Sequence, residues 1–170
     1  MGRVLQIVGY QDSGKTTFIV EYINALTNQG LKVGTIKHHG HQEVIKHDDL
    51  HKDTGKHRQA GAQVSLVEGN GSVLLNSEKT SLTLLQLLTM YKPFQLDVIV
   101  IEGFKSESYP KVALIRSIEG IQMLKSLTNV VCILTSIEVP IEIATKYITF
   151  KYTNDCIDWL LTNKVGEFIE

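Results

Sequence analysis

The sequence predicts an α/β fold: a three-layer sandwich around a mostly parallel sheet, carrying one antiparallel hairpin. Short, largely apolar runs of strand length recur along the chain, at Val4 to Gly9, Asp97 to Glu102 and Val130 to Thr135. Such runs suit strands buried on both faces of a parallel sheet. Segments with helical spacing of apolar residues lie between them. The first run leads straight into G-Y-Q-D-S-G-K-T-T, Gly9 to Thr17, and then into a helical pattern. That is strand, glycine loop, helix, the order in which a phosphate-binding loop is credible.

Each element has its own reason. Phe18, Ile19, Tyr22, Ile23 and Leu26 share one face of a helix over Thr17 to Gln29, which Gly30 terminates as a C-cap. Leu31 to Lys37 alternates in part and reads as the second strand, so a right-handed parallel crossover is expected. His38 to Arg58 is the most polar stretch and holds all 6 histidines. It keeps neither strand nor helix period and reads as a long loop with a short helix near Asp53 to Ala60. A loop of this length inside a compact domain is usually functional. Gln63 to Glu68 and Ser72 to Asn76 flank Gly69-Asn70-Gly71, a hairpin signal, and the edge of the parallel sheet is its expected place. Thr83 to Tyr91 is an apolar helix stopped before Pro93. Val112 to Ile115 and Tyr147 to Phe150 read as short strands, and Ile121 to Leu127 as a helical turn or two. Asn154 to Asn163 is a closing helix with Asp155 near its N-terminus, where an acid is favourable.

The bulk numbers narrow the class. A chain of 170 residues reads as one domain, 1–170, long enough for a proper core. Hydrophobic content of 43% and charged content of 21% are ordinary for a soluble globular protein. A net charge of −1 does not favour non-specific nucleic-acid binding. Cys132 and Cys156 both lie in apolar surroundings without a C-x-x-C, so they read as buried thiols in a reducing compartment. The N-terminus runs directly into a strand, with no signal peptide expected, and no apolar run reaches membrane-spanning length. The cytoplasm is the expected location.

The chemistry starts at the glycine loop. Gly9 and Gly14 let the backbone curl so that successive N–H groups converge with the helix N-terminus on an anion. Lys15 is placed to reach the β- and γ-phosphates, and the Thr16 hydroxyl to ligate Mg²⁺. The bland alternative is a plain strand-to-helix turn. A phosphate loop also needs a carboxylate for the metal, usually at a neighbouring strand end. Glu102 in D-V-I-V-I-E-G-F-K is the candidate, against the alternative of an exposed acid at a strand terminus. Asp97 begins the same strand, roughly 15 Å away by strand rise, and is a poor ligand. Asp53 reads equally as a switch-type acid near the γ-phosphate or as a helix N-cap. Asp48 and Asp49 are weaker rivals. His38, His39, His41, His47, His51 and His57 supply metal-ligand types, yet no nearby Cys and no H-E-x-x-H accompany them. A solvated, phosphate-facing loop is the better reading. The guanine signature [NT]-K-x-D is absent.

Taken together, G-Y-Q-D-S-G-K-T-T, G-T-I-K-H-H-G-H (Gly34 to His41), D-T-G-K-H-R-Q-A-G-A (Asp53 to Ala62), V-I-V-I-E-G-F-K and P-K-V-A-L-I-R (Pro110 to Arg116) come in one order. In that order they resemble the molybdopterin-guanine dinucleotide biosynthesis protein B family. The blocks cover about the first two thirds of the chain. The resemblance implies a fold of the P-loop nucleotide triphosphatase type, and a GTP-binding protein with weak Mg²⁺-dependent GTPase activity, commonly a homodimer. Such proteins assist a molybdenum cofactor guanylyltransferase that attaches GMP to molybdopterin. The family's phosphate-loop positions fall on Gly9, Asp12, Ser13, Gly14, Lys15, Thr16 and Thr17, its modified Walker B acid on Glu102 and its switch-like acid on Asp53. The resemblance thus makes Lys15, Asp53 and Glu102 the catalytic candidates and Thr16, Glu102 and Asp53 the metal candidates. Lys37 and His38 fall in a shared block without an assigned role. Thr135-Ser136 stands where an acid is expected after Leu134, so guanine preference rests on the resemblance alone. The alternatives are a small-molecule kinase that passes the γ-phosphate to an acceptor, and a non-catalytic, nucleotide-gated assembly module.

Overall fold

The computed structural model describes residues 2–39, 51–78 and 80–169. They fall into two compact units, one from Met1–Gly40 with Leu84–Glu170 and one from His41–Thr83.

The first unit holds the parallel sheet. β1 (Arg3–Gly9), β2 (Val33–Lys37), β5 (Val98–Glu102), β6 (Lys111–Ile115), β7 (Val130–Thr135) and β8 (Ile148–Phe150) run in the order β2-β5-β1-β6-β7-β8. All these neighbours are parallel. β9 (Glu167–Phe168) adds an antiparallel pair on β1, Arg3 opposite Phe168. Successive side chains of a strand leave opposite faces, and β1 shows the consequence. Leu5 and Ile7 face α1 (Lys15–Asn28) and α6 (Thr153–Thr162), packing with Phe18, Tyr22, Leu26, Ile157 and Leu160. Val4 and Val8 go to the other face. There Val4 packs with Leu84 and Leu88 of α3 (Leu84–Met90), and Val8 with Met123 of α4 (Ile118–Met123). The result is the expected three layers. Each of these fully buried aliphatic side chains stabilises the fold by about 1.5–3 kcal/mol.

Local signals explain the helix ends. Gly14 takes φ 85° before α1, and Gly30 takes φ 77° after it, both left-handed conformations that favour glycine. Pro93 ends α3, and a single 3₁₀ turn over Lys92–Phe94 follows. A further helix, α5 (Ile141–Lys146), precedes β8. Asp97 is occupied at the far end of β5, where its Oδ2 accepts the Lys32 backbone N–H at 2.7 Å. Cys132 and Cys156 are free and buried, with sulfurs 3.9 Å apart. Their mutual contact, together with burial, pushes the Cys132 thiol pKa up. Among the described residues, no helix is long and apolar enough to cross a membrane.

The second unit is small. α2 (Asp53–Gln59) leads into the hairpin of β3 (Val64–Gly69) and β4 (Ser72–Ser77). Asn70 (φ 49°) and Gly71 (φ 79°) make its two-residue turn. Positive φ at both central positions is what matches the strand twist, and Asn-Gly adopts it readily. The hairpin is a separate two-stranded sheet, not an edge addition to the parallel sheet. Its strands carry apolar residues at consecutive positions, Leu66-Val67 and Val73-Leu74-Leu75, so both faces are apolar and exposed. The strict alternation of a sheet with one solvated face is missing. Arg58 is buried here. Its Nη1 donates to Ser65 Oγ at 2.8 Å, and its Nε lies 3.3 Å from Glu78 Oε1. It ties α2 to the hairpin.

Candidate functional site

Gly9 ends β1 and opens the loop. A side chain there would enter the space of Ser13 Oγ and lie 2.9 Å from the Leu114 carbonyl oxygen, so glycine is required by close approach. Asp12 (φ 58°) and Gly14 (φ 85°) both take left-handed conformations and curl the backbone. The Ser13 N–H donates to Tyr10 O at 3.3 Å, and the Phe18 N–H to Gly14 O at 3.0 Å. Ser13 is buried, while Asp12, Gly14, Thr16 and Thr17 are exposed. The Arg116 Nε, just beyond β6, donates to Ser13 O at 3.4 Å and braces the outside of the loop.

Lys15 folds back over this ring. Its Nζ donates to Tyr10 O at 2.6 Å and Ser13 Oγ at 3.5 Å. Burial pushes its pKa below the usual 10.5; Glu102 opposes that shift, Lys105 and Lys37 add to it, and Asp12 opposes it. The ammonium is thus partly withdrawn from water, held by Tyr10 O and Ser13 Oγ, with no direct carboxylate contact among the described residues.

Glu102 ends β5 in register with Ile7 of β1 and Lys37 of β2. Paired residues of a parallel sheet share a face, so Glu102 lies with Ile7 on the face that α1 covers. Its side chain is only 14% exposed, and Lys37 Nζ stands 3.4 Å from its Oε1. The strand ends sharply. Gly103 (φ 94°) and Phe104 (φ 52°) are both left-handed, and the Gly103 N–H donates to Ile7 O at 3.1 Å. That turn returns Lys105 to the loop, where its Nζ sits 4.6 Å from the centre of the Tyr10 ring. The His38 ring stacks obliquely on Phe104 at 4.6 Å. Lys15, Lys37, Lys105 and Glu102 thus gather at the carboxyl ends of adjacent strands, where ligands of open α/β sheets bind.

The expected residues fare differently. Gly9, Asp12, Ser13, Gly14, Lys15, Thr16 and Thr17 form the predicted loop and helix start, and Glu102 stands beside Lys15 in the electrostatics of the site. Asp53 belongs to the second unit as the first residue of α2, where Lys52, not Asp53, is the N-cap. Its exposed carboxylate pairs with Lys56 Nζ at 3.3 Å. Asp48, Asp49, His41 and His47 lie outside the described residues. Among the described residues, no His, Cys, Asp and Glu side chains cluster as a metal centre. Sequence reasoning gave no role to Lys37, Lys105 or Gln6. For Lys37 a signal existed: it ends β2 as Glu102 ends β5, and adjacent parallel strands bring such ends together.

The molybdopterin guanine dinucleotide synthesis protein B family matches residues 4–136. The chain belongs to this family. A probable molybdopterin-guanine dinucleotide biosynthesis adapter protein of Bacillus subtilis is 37% identical over 131 residues, covering 77% of this chain and 75% of that protein. The molybdopterin-guanine dinucleotide biosynthesis adapter protein of Escherichia coli is 32% identical over 120 residues, 69% of this chain and 67% of its own length. The crystal structure of the Bacillus subtilis MobB superposes with a TM-score of 0.74 at 31% identity, covering 97% of this chain and 99% of that one. The family match spans the glycine loop and Glu102, and extends through Arg116 to the end of β7.

Proposed function

We propose that this protein binds GTP with Mg²⁺ at the Gly9–Thr17 loop, hydrolyses it slowly, and serves molybdopterin guanine dinucleotide biosynthesis as an accessory protein. Membership of the family and the adapter role in its relatives' names support the pathway. The observation that carries the nucleotide reading is the charge arrangement at Lys15. A partly buried ammonium on the glycine loop at the start of α1, with Lys37 and Lys105 near it, suits a bound polyphosphate. The hard oxygen donors of Thr16 and Glu102 fit Mg²⁺, which prefers such ligands and supplies charge neutralisation of the phosphates.

The chain's own part is positioning and electrostatics. Loop amides and the α1 N-terminus hold phosphate oxygens, and Lys15 leaves Tyr10 O to neutralise the terminal phosphate. Glu102, paired with Lys37 in the free protein, would hold the metal through its water shell. Asp53 remains the proposed switch acid.

A homodimer is part of the proposal. An isolated two-stranded sheet is marginal in water, and this one exposes Val64, Leu66, Val67, Val73, Leu74 and Leu75. A second copy of the chain is the occupant that fits an apolar hairpin in a protein of near-zero net charge. The partners are a guanylyltransferase and molybdopterin, and the location is the cytoplasm.

Incubation with γ-labelled GTP, molybdopterin and candidate acceptors tests the reaction. Label released only as inorganic phosphate is expected. A labelled acceptor identifies a kinase, and binding without turnover identifies a nucleotide-gated assembly module.

A further inference from the structure

Two polar side chains of the sheet core are fully buried, Gln6 and Lys111. They are register partners on adjacent strands β1 and β6. Gln6 is also paired with Ile101, and Ile101 with Ile36, so all four belong to one row on the face away from α1. At Ile36 and Ile101 that row is apolar and packs with α3. At Gln6 and Lys111 it turns polar, where the cover is no longer a helix but the segment 103–110. Irregular backbone over a sheet carries carbonyls that no ladder satisfies.

The two side chains satisfy them. Gln6 Nε2 donates one N–H to Gly103 O at 3.0 Å and the other to Phe104 O at 2.8 Å. An amide facing two carbonyls must present nitrogen, so its orientation is fixed by chemistry. Its Oε1 is buried without a hydrogen-bond partner among the described residues. Lys111 Nζ donates to Tyr109 O at 3.0 Å and to Glu107 O. Burial lowers the Lys111 pKa and Glu107 raises it. The lysine is in effect a tethered cation inside a set of backbone carbonyls. Gly103 and Phe104, the residues that Gln6 holds, are the consecutive left-handed pair that turns the chain directly after Glu102.

We infer that Gln6 and Lys111 are positioning residues of the phosphate site: from the opposite face of the sheet they clamp the 103–110 segment and so fix the aim of Glu102 and Lys105. Neither side chain touches the ligand site. The inference rests on the nucleotide reading for its functional half, while the clamp itself is a property of the ligand-free chain.

Gln6→Leu and Lys111→Ala test it on the full chain, with two readouts. In ligand-free protein, hydrogen exchange at the Gly103 and Glu107 amides accelerates about tenfold or more, while the β6 and β7 amides keep their protection. In nucleotide binding, affinity in the presence of EDTA falls far less than affinity with Mg²⁺, because the glycine loop is intact and Lys105 alone of its cations loses its support. The Mg²⁺ concentration for half-maximal effect rises about 10–100-fold, the range typical when a metal ligand loses its support. Propylammonium, which replaces the missing arm of Lys111→Ala, restores both readouts in that variant and neither in Gln6→Leu. A merely structural lesion lowers all protections and affinities together and is not rescued, and that result overturns the inference. Unchanged exchange at Gly103 and Glu107 in folded variants overturns it as well. If the parent protein itself shows no Mg²⁺-dependent nucleotide binding, the nucleotide reading falls and the functional half with it. If the parent responds to Mg²⁺ and the variants respond equally, the positioning role alone is wrong.

Discussion

Substituting Gly9 by alanine adds one carbon where the structure has least room for it. The new Cβ would enter Ser13 Oγ, lie 2.9 Å from the Leu114 carbonyl oxygen and 3.2 Å from Ser13 Cβ. Ser13 has little freedom to withdraw, because it is only 4% exposed. The Leu114 oxygen belongs to the β6 backbone beside β1, so it does not move cheaply. Overpacking of this kind costs about 1–3 kcal/mol. For a chain of this size, each kcal/mol lowers Tm by about 2–4 °C. The expected loss is therefore about 2–12 °C by thermal unfolding. Nucleotide affinity should fall as well, by about tenfold or more, since the displaced Ser13 carries the loop amides with it. Gly14→Ala is the control. Its nearest neighbour would be Arg116 Nη2 at 3.8 Å, so the cost there is the left-handed φ of 85° alone, about 1–2 kcal/mol. Calorimetric melting with titration of a fluorescent GTP analogue reads both effects. A Gly9→Ala protein with parental Tm and affinity would refute the close-packed loop.

Glu102→Gln should weaken Mg²⁺-dependent turnover strongly, by about 10²-fold or more, while Mg²⁺-free nucleotide affinity changes little; equal turnover in phosphate-release assays removes Glu102 as the metal-side acid. Lys15 carries a pH prediction. Its pKa lies below 10.5 in the free protein, and a bound phosphate favours the charged form, so binding takes up a proton in the alkaline range. Affinity should thus decline as pH rises through the depressed free-protein pKa, and Lys15→Arg should move that decline to higher pH in calorimetric titrations. Arg58→Met leaves the buried Ser65 hydroxyl without its donor and should destabilise the second unit by about 1–3 kcal/mol, seen as faster hydrogen exchange across β3 and β4 with α1 and β1 unaffected.

The parallel sheet was readable because its strands are buried on both faces. Continuous runs such as Val98–Ile101 and Val130–Thr135 need no tertiary knowledge to interpret. α5 escaped because its six residues, I-E-I-A-T-K, are β-branched in half their positions and bury no side chain, so neither propensity nor periodicity marks them. β9 escaped because two exposed residues become a strand only by meeting Arg3 and Val4 from across the chain. Hairpin formation was legible in Asn70-Gly71, but its separation from the parallel sheet was not, since turn chemistry says nothing about which strands a hairpin joins. The site divides in the same way. The glycine loop is local and spelled out in consecutive residues. The Lys37–Glu102 pair spans 65 positions and exists through strand register. Gln6 reads in sequence as a polar interruption of an apolar strand, and only the carbonyls of Gly103 and Phe104 explain it.

The central claim is Mg²⁺-dependent binding of GTP by Lys15 and its loop. Isothermal titration of the full chain with GTP and with ATP, with and without Mg²⁺, and of Lys15→Ala with GTP, tests it most directly. Tighter binding of GTP than ATP is expected, strengthened by Mg²⁺ and weakened by about 10²-fold in Lys15→Ala. A folded parent protein that binds neither nucleotide, or a Lys15→Ala protein that binds GTP as the parent does, contradicts the account.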